Sequence, residues 1–598
     1  MNMKEALAAA IKAAAVKAIA AGTIKEGDLP EVLLEVPPQK EFGDFATNFA
    51  MQSARGLKCN PRLVAQAVID NLDCPYVAKA EIAGPGFINF YLKQNWTAEL
   101  LASIVAAGAD YGNLPARGGE KIQLEYVSAN PTGPLHVGHG RGAAVGPWVS
   151  AMSAEASDMS GWMLMGLPGY AYVAGVSAFW IAIGLAIGTW LNWLFVAKRL
   201  RVYTKIANDS ITLPDFFENR FRDKTKILRV VSAIFIFIFF LIYTASGFVA
   251  GGRLFNTVFG LPYFESLLIT AGIVVFYTFT GGYVAVCRTD FFQGCLMFFA
   301  IIIVPVTGIF KAGGPVTAFE KLYNMNANYF SFFTDATGVT LSATAIISLL
   351  AWGLGYFGQP HILVRFMGIS SAKEIPQATR IAMVWVIFSL FFAVTVGLVG
   401  RVLLGDTLTG VNAETVFMVL NNEFFVSFLA GIIISAILGA IMSTSSSQLL
   451  VTASAISTDF YQALLRKNAG EKELVFVSRL SVILVACCSL ALASNPNNYI
   501  LELVAYAWAG FGASFGPLVL FSLFWRRTTI KGAIAGVFFG GSTVLIWKEF
   551  FAYTDIYEIV PGFIISALAI YVVSLLDKKP DAAIVKDFDV AEAHIQDM

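Results

Sequence analysis

From Pro147 to about Leu576 the chain alternates long apolar runs with short polar breaks. A helix needs about 20 predominantly apolar residues to cross a bilayer, and most of these runs reach that length. Twelve are read, at approximately 147–172, 174–197, 228–250, 264–287, 291–312, 340–364, 381–404, 424–457, 474–494, 500–525, 531–551 and 557–577. Several are longer than a straight crossing requires, which predicts tilt or interruption. Upstream the pattern is that of a soluble protein. Ala6–Ala20 is Ala-rich, with Lys12 and Lys17 interspersed, and predicts a helix. Ile82–Leu92 alternates after a Gly-Pro-Gly turn, and Glu120–Val127 is a short β-prone run. The fold class expected is an all-α polytopic membrane protein preceded by a small α+β soluble domain. The divisions fall at 1–118, 119–146, 147–577 and a tail at 578–598.

Composition supports two solvents. Hydrophobic residues make up 57% of the 598 and charged residues only 14%, where a soluble chain carries about a quarter charged. The net charge of zero gives no general attraction to DNA or to an acidic partner. The six cysteines (Cys59, Cys74, Cys287, Cys295, Cys487 and Cys488) have no zinc or redox spacing and read as small hydrophobes. Met1–Thr23 carries charge throughout and does not read as a secretion signal. Basic residues set the orientation. The stretch 198–227 contains Lys198, Arg199, Arg201, Lys205, Arg220, Arg222, Lys224 and Lys226, so it is expected on the cytoplasmic side. Alternation then places Arg365/Lys373/Arg380, Arg466/Lys467/Lys472, Arg526/Arg527 and Lys578/Lys579 on that side, with both termini cytoplasmic.

Three features within the spans carry candidate chemistry. The first span holds Ala156-Ser157-Asp158-Met159-Ser160-Gly161-Trp162 and then Gly166-Leu167-Pro168-Gly169. Five spans later the sixth holds Gly353-Leu354-Gly355-Tyr356-Phe357-Gly358-Gln359-Pro360. Gly and Pro interrupt the helical ladder, freeing carbonyls for a cation and N–H groups for a carboxylate. Such backbone is tolerated at membrane depth only where it lines a cavity. Close helix packing is the other use of these glycines. The eighth span carries Ser443-Thr444-Ser445-Ser446-Ser447 inside an apolar helix. These hydroxyls either bond back to their own helix or supply oxygen ligands to a hard cation. Asp158, ionisable within a span, is a functional candidate by default. Otherwise it is a carboxylate satisfied by backbone N–H groups at the break. Trp162, Trp352 and Tyr356 offer flat apolar walls.

The segments SAEASDMSGWMLMGLPG, LIYTASGFVAG, LAWGLGYFGQPHILVRFM, SAILGAIMSTSSSQLLV and VAYAWAGFGASFGP resemble the sodium:solute symporter family from about Gly146 to the end of the last span. The resemblance implies a 5+5 inverted-repeat fold and sodium-coupled uptake of proline across the bacterial plasma membrane, with sodium as co-transported ligand and no cofactor. It also implies a sodium site made by the carbonyls of Ala156, Met159 and Ala440 and the hydroxyls of Ser443 and Thr444, with Asp158 beside it in coupling. Ser160, Gly161, Trp162, Tyr243, Trp352, Tyr356 and Pro360 would line the proline pocket, and Asp290 would serve cation passage. The family pattern has one further span before the first broken helix, absent here. Glu155, three residues before Asp158, stands where the pattern leads one to expect a small residue.

The first 146 residues resemble something else. VSANPTGPLHVGHGRG, with FGDFATNFAM and AGPGFINFYL upstream, is similar to arginyl-tRNA synthetase, and His136-Val137-Gly138-His139 looks like the ATP motif of class I synthetases. The resemblance stops at the first span, and no second nucleotide loop follows. His136 and His139 are therefore read as vestigial, and tRNA binding by residues 1–145 as unproductive. The chain is expected to be a transporter, not an enzyme. The alternative is a truncated synthetase fragment, binding tRNA or ATP, joined to a non-functional transporter by rearrangement or misassembly.

Overall fold

A computed structural model describes residues 3–35, 37, 43–93, 146–210, 212–280, 283–466 and 468–596. They fall into two compact units, one within 1–124 and the other within 125–598. His136, His139 and the β-prone run 120–127 lie outside the described residues.

The first unit contains α1 (Met3–Ala20), β1 (Phe45–Thr47), α2 (Phe49–Leu57), α3 (Pro61–Asp70), β2 (Val77–Ala83) and β3 (Phe87–Leu92). The strands form an antiparallel sheet in the order β1-β3-β2. Gly84 (φ +54°) and Gly86 (φ +142°) adopt backbone conformations that disfavour a Cβ. They close a tight hairpin that pairs Ile82 with Ile88. Leu7, Ile11, Ala14 and Ala18 of α1 share a core with Phe49, Val64, Val68, Ile88 and Phe90. The start of α3 is fixed locally: Pro61 fills its first turn, and the Asn60 side chain accepts from Arg62 N at 2.9 Å.

Among the described residues of the second unit, nine helices are long and apolar enough to cross a membrane. Two shorter apolar helices, Tyr263–Phe279 and Ala343–Gly358, fall on the expected fourth and sixth runs. The sequence pattern gave twelve runs. Part of the difference in count has a physical origin. The run Trp162–Ile206 covers the end of the first expected span and all of the second. It turns at Gly175 (φ +75°), where a Cβ would stand 2.7 Å from the Tyr329 carbonyl oxygen. The interrupted sixth run is shorter than a full crossing. Large apolar side chains such as Ile187, Phe299, Phe388, Phe428, Leu484 and Leu568 point outward and exposed, the face a bilayer solvates and water does not.

Small residues let the inner helices approach. A Cβ at Gly184 or Gly188, in Phe179–Leu191, would collide with the backbone of Leu350 or Gly353 in the sixth run. The basic stretch 198–227 is folded rather than loose, with short helices Lys198–Ile206 and Leu213–Phe221. The tail helix Ala582–Gln596 lies against it. Arg199 bonds Glu592, Arg222 Nη2 meets Asp587 Oδ2 at 2.8 Å, and Phe588 packs edge-on to Tyr203. Arg526 reaches Asp589 at 3.2 Å. Two of the basic segments grouped by charge alternation, 198–227 and Arg526/Arg527, thus meet the acidic side chains of the tail helix. Arg365 departs from that group: it is buried in helix Pro360–Gly368 rather than exposed at a surface.

Candidate functional site

Both expected breaks are present. Helix Pro147–Asp158 ends at Met159, whose ψ of 81° is not helical, and the chain resumes as a π-helical turn at Trp162–Gly166. The sixth run tightens from α-helix (Ala343–Leu350) to 3-10 helix (Ala351–Gly358). It breaks at Gln359 (ψ 108°) and restarts at Pro360. Proline cannot donate to the preceding turn, and it disfavours helical backbone in the residue before it. The glycines of this run also pack closely: a Cβ at Gly355 would collide with the Trp508 indole, and one at Gly358 with the Phe511 backbone. An interrupted helix and close glycine packing therefore occur together in this run.

The break redirects the hydrogen bonds of the first span. In an unbroken helix Ser160 N would donate to Ala156 O. Here Ser160 N donates to Asp158 O at 3.0 Å, releasing the Ala156 carbonyl. That carbonyl instead accepts from Ser443 Oγ of helix Ser427–Ser454 at 2.7 Å. Ser443 Oγ also lies 3.2 Å from Ala440 O, three residues back in its own helix. The two carbonyl oxygens expected to act with Ser443 are therefore both within hydrogen-bond reach of its hydroxyl. Thr444 Oγ1, next along the helix, is buried without a hydrogen-bond partner among the described residues. Met159 is the break itself. A hydroxyl can rotate from donating to a carbonyl to presenting its lone pairs beside it, so the pair is suited to surround a hard cation.

Asp158 anchors a second group. Its carbonyl accepts from Trp162 Nε1 (3.1 Å) and Tyr243 OH (3.2 Å) as well as from Ser160 N, which saturates that oxygen. Its carboxylate Oδ2 accepts from Tyr356 OH of the sixth run at 2.7 Å, while Oδ1 has no hydrogen-bond partner among the described residues. The carboxylate is therefore held by a tyrosine hydroxyl, not by the backbone N–H groups considered from sequence. The rings of Trp162 and Trp352 lie 6.2 Å apart, and Trp508 braces both halves of the wall. Its Nε1 donates to Trp352 O at 2.7 Å, and its ring meets Tyr356 edge-on at 5.0 Å. Ser160 is buried beside this group, and a Cβ at Gly161 would press within 2.8 Å of Ala250 Cβ. Pro360 faces elsewhere: it lines a small cavity with Pro214, Ile236, Val451 and Asp459.

Asp290 belongs to a separate polar cluster. It accepts from Ser153 Oγ at 2.8 Å and lies 3.5 Å from Arg365 Nη2, which itself donates to Ser447 Oγ at 2.8 Å. Arg365 Nη1 closes onto His361 O at 2.6 Å. A buried ion pair thus joins helices Tyr283–Lys311 and Pro360–Gly368, and hydrogen bonds with Ser153 and Ser447 tie it to the first and eighth runs. The sequence reading missed Arg365, counting it with loop charges. An arginine inside an apolar run opposite a buried aspartate was the available signal. Trp508 and Asn192 were missed because neither their residue type nor their spacing marks them.

These features can be set beside known proteins. The sodium:solute symporter family model matches residues 140–540. A sodium/proline symporter of Escherichia coli (strain K12) is 51% identical over 458 residues, 76% of this chain and 90% of the relative. The chain belongs to the sodium:solute symporter family. Another relative within it, a high-affinity proline transporter of Bacillus subtilis (strain 168), is 50% identical over 449 residues, 75% of this chain and 94% of its own length. The solved structure of a Na+-coupled sialic acid symporter covers 74% of this chain and 92% of its own, with a TM-score of 0.60 at 20% identity, a likeness of fold. Residues 1–92 match the arginyl tRNA synthetase N terminal domain model. The symporter family membership thus falls on the multi-pass membrane unit, and the synthetase match on the small α+β unit.

Proposed function

We propose that the chain is a sodium/proline symporter, a secondary transporter and not an enzyme, working by alternating access in the bacterial plasma membrane. The observation that carries the reading is the Ser443 hydroxyl at 2.7 Å from the Ala156 carbonyl, which the break at Met159 has released. Sodium, as co-transported ligand, is held by the carbonyls of Ala156, Met159 and Ala440 and by the hydroxyls of Ser443 and Thr444, with Asp158 coupling that site to the aromatic group. The substrate carboxylate docks on N–H groups at the broken first span, near Ser160 and Gly161. Its ring rests on Trp162, Trp352 and Tyr356, with Tyr243 behind and Pro360 setting the second break. Asp290 serves cation passage towards the cytoplasm.

Twelve spans with both termini cytoplasmic, ten of them arranged as two inverted repeats of five, complete this reading. Broken helices at the first and sixth positions are what an inverted pair places at the midplane. One net positive charge moving inward contributes about 2.3 kcal/mol per 100 mV, roughly fifty-fold accumulation. The synthetase-like unit takes no part in transport, and tRNA binding by residues 1–145 is unproductive. The deciding experiment is uptake of labelled proline into proteoliposomes containing the full chain, with sodium or choline outside. Sodium-dependent uptake abolished by Asp158→Cys and weakened by Trp352→Ala is expected; equal uptake in choline refutes coupling.

A further inference from the structure

The segment that follows helix Tyr283–Lys311 carries large apolar side chains that the transport reading does not use. The chain turns at Gly313 (φ +103°) and Gly314 (φ +97°), and helix Pro315–Met325 begins. Its first residue is four positions beyond Lys311, so even an extended chain would start it within about 14 Å of the end of the span. Helical spacing divides this helix into three sectors. Ala318 and Leu322 share a small core with Tyr329 and with Val402 of helix Ile375–Leu404. Thr317, Lys321 and Asn324 make a polar side, where Lys321 Nζ donates to Ala312 O at 3.0 Å. Val316, Phe319 and Tyr323 make the third sector, 69%, 52% and 53% exposed, with Glu320 at its border. A helix facing only water would be polar there.

That sector is continuous with surfaces that face lipid. The Phe319 and Phe330 ring centroids lie 4.2 Å apart. Two residues further on, Phe332 O accepts from Trp180 Nε1 at 2.7 Å, and the rings of Phe332 and Phe333 lie 6.1 and 5.9 Å from that indole. Trp180 heads a stripe at helical spacing, Ile183, Ile187 and Trp190, exposed along helix Phe179–Leu191. Phe179 joins Phe332 to Phe391, which is exposed on helix Ile375–Leu404. The tail helix lies beyond the far end of the same span, where Arg199 bonds Glu592. Trp and Tyr collect at the membrane–water boundary because one end of each is apolar and the other polar.

We propose that the segment 315–333 is an interfacial anchor. Val316, Phe319, Tyr323 and Phe333 sit among the headgroups and upper acyl chains of one leaflet, the outer one on the orientation proposed above. Such a helix buries its apolar side about 5–10 Å into that boundary. Anchored there, the segment holds at fixed depth the turn at Gly175 between the first two spans, on which the Tyr329 backbone closes. The anchor needs neither the sodium site nor proline as substrate, so it stands or falls separately from them.

The test is spin labelling of single cysteines in the full chain, reconstituted in liposomes, with its six native cysteines replaced by serine and proline uptake retained. Val316→Cys and Tyr323→Cys report the apolar sector, Lys321→Cys and Asn324→Cys the polar one. Collision with oxygen, which partitions into lipid, is measured against collision with a water-soluble nickel chelate. The ratio should be roughly three-fold or more higher at 316 and 323 than at 321 and 324. Water-like ratios at all four positions overturn the anchor. Exclusion of both reagents at 316 and 323 also overturns it, because protein and not lipid then covers the sector. Lipid-like ratios at all four place the helix inside the hydrocarbon and overturn the interfacial position. Phe319→Trp, with the native cysteines in place, is the second measurement. The emission it adds to that of wild type should be quenched by lipid brominated near the headgroup; an added emission that brominated lipid leaves unchanged overturns the proposal.

Discussion

Replacing Ser443 by alanine removes one oxygen from the point where two spans meet. The hydroxyl is fully buried and donates at 2.7 Å to Ala156 O, so the loss is both a contact between helices and a ligand. In the sodium-free state the variant forfeits one hydrogen bond at the Ala156 carbonyl, worth about 1 kcal/mol. In the sodium-bound state it forfeits one of five proposed oxygen ligands. Interactions with a charged group are worth about 1.5–3 kcal/mol each, more than the neutral bond lost before binding. Sodium affinity should therefore fall. With about 2 kcal/mol lost on the bound side alone, the upper bound is roughly a thirty-fold rise in half-saturating sodium; the bond already lost on the free side brings it nearer five-fold. The assay is initial-rate proline uptake in proteoliposomes across a sodium series, normalised to reconstituted protein. The substrate KM at saturating sodium should change little, because Ser443 does not touch the aromatic group. An unchanged sodium dependence, or a change confined to proline KM, refutes the cage.

Tyr356→Phe deletes the hydroxyl on Asp158 Oδ2. It should lower proline uptake at least ten-fold at limiting sodium, with protein level in the membrane as the check. Gly188→Leu would force a side chain into the Gly353 backbone. It should cost several kcal/mol by overpacking, read as loss of monodisperse protein on size-exclusion chromatography. In the soluble unit, Asn60→Ala removes the cap of α3; about 1 kcal/mol of local stability should go, seen as faster hydrogen exchange in 61–70. Glu592, outside the spans, has its carboxyl held below the usual range, chiefly by the hydrogen bond from Arg199. A lowered folded-state value contributes stability that is complete above the ordinary glutamate value of about 4.3 and is lost as pH falls through the lowered one. Exchange in the tail helix, corrected for intrinsic rate, should stay protected at neutral pH and rise only under acid.

The sequence by itself determined where lipid-facing helix would be, because burial of about 20 apolar residues admits few alternatives. Proline and glycine marked both breaks, and their chemistry made the unwinding at Met159 and Gln359 readable before any fold was known. The family-borne pairing of Ser443 with Ala156 joins residues 287 positions apart, a proximity no local pattern specifies. Only the tertiary structure decided which partner each polar group takes. Asp158 meets Tyr356, and Arg365 turns inward to Asp290 instead of outward to water. Trp508 becomes a brace, Asn192 donates to the Tyr356 carbonyl, and Glu155 accepts from the Trp193 indole. Helix-forming tendency and hydropathy are set by neighbours in the chain. The register of one helix against another is set by side-chain volume and glycine contact across it, and that information is distributed over the whole membrane unit.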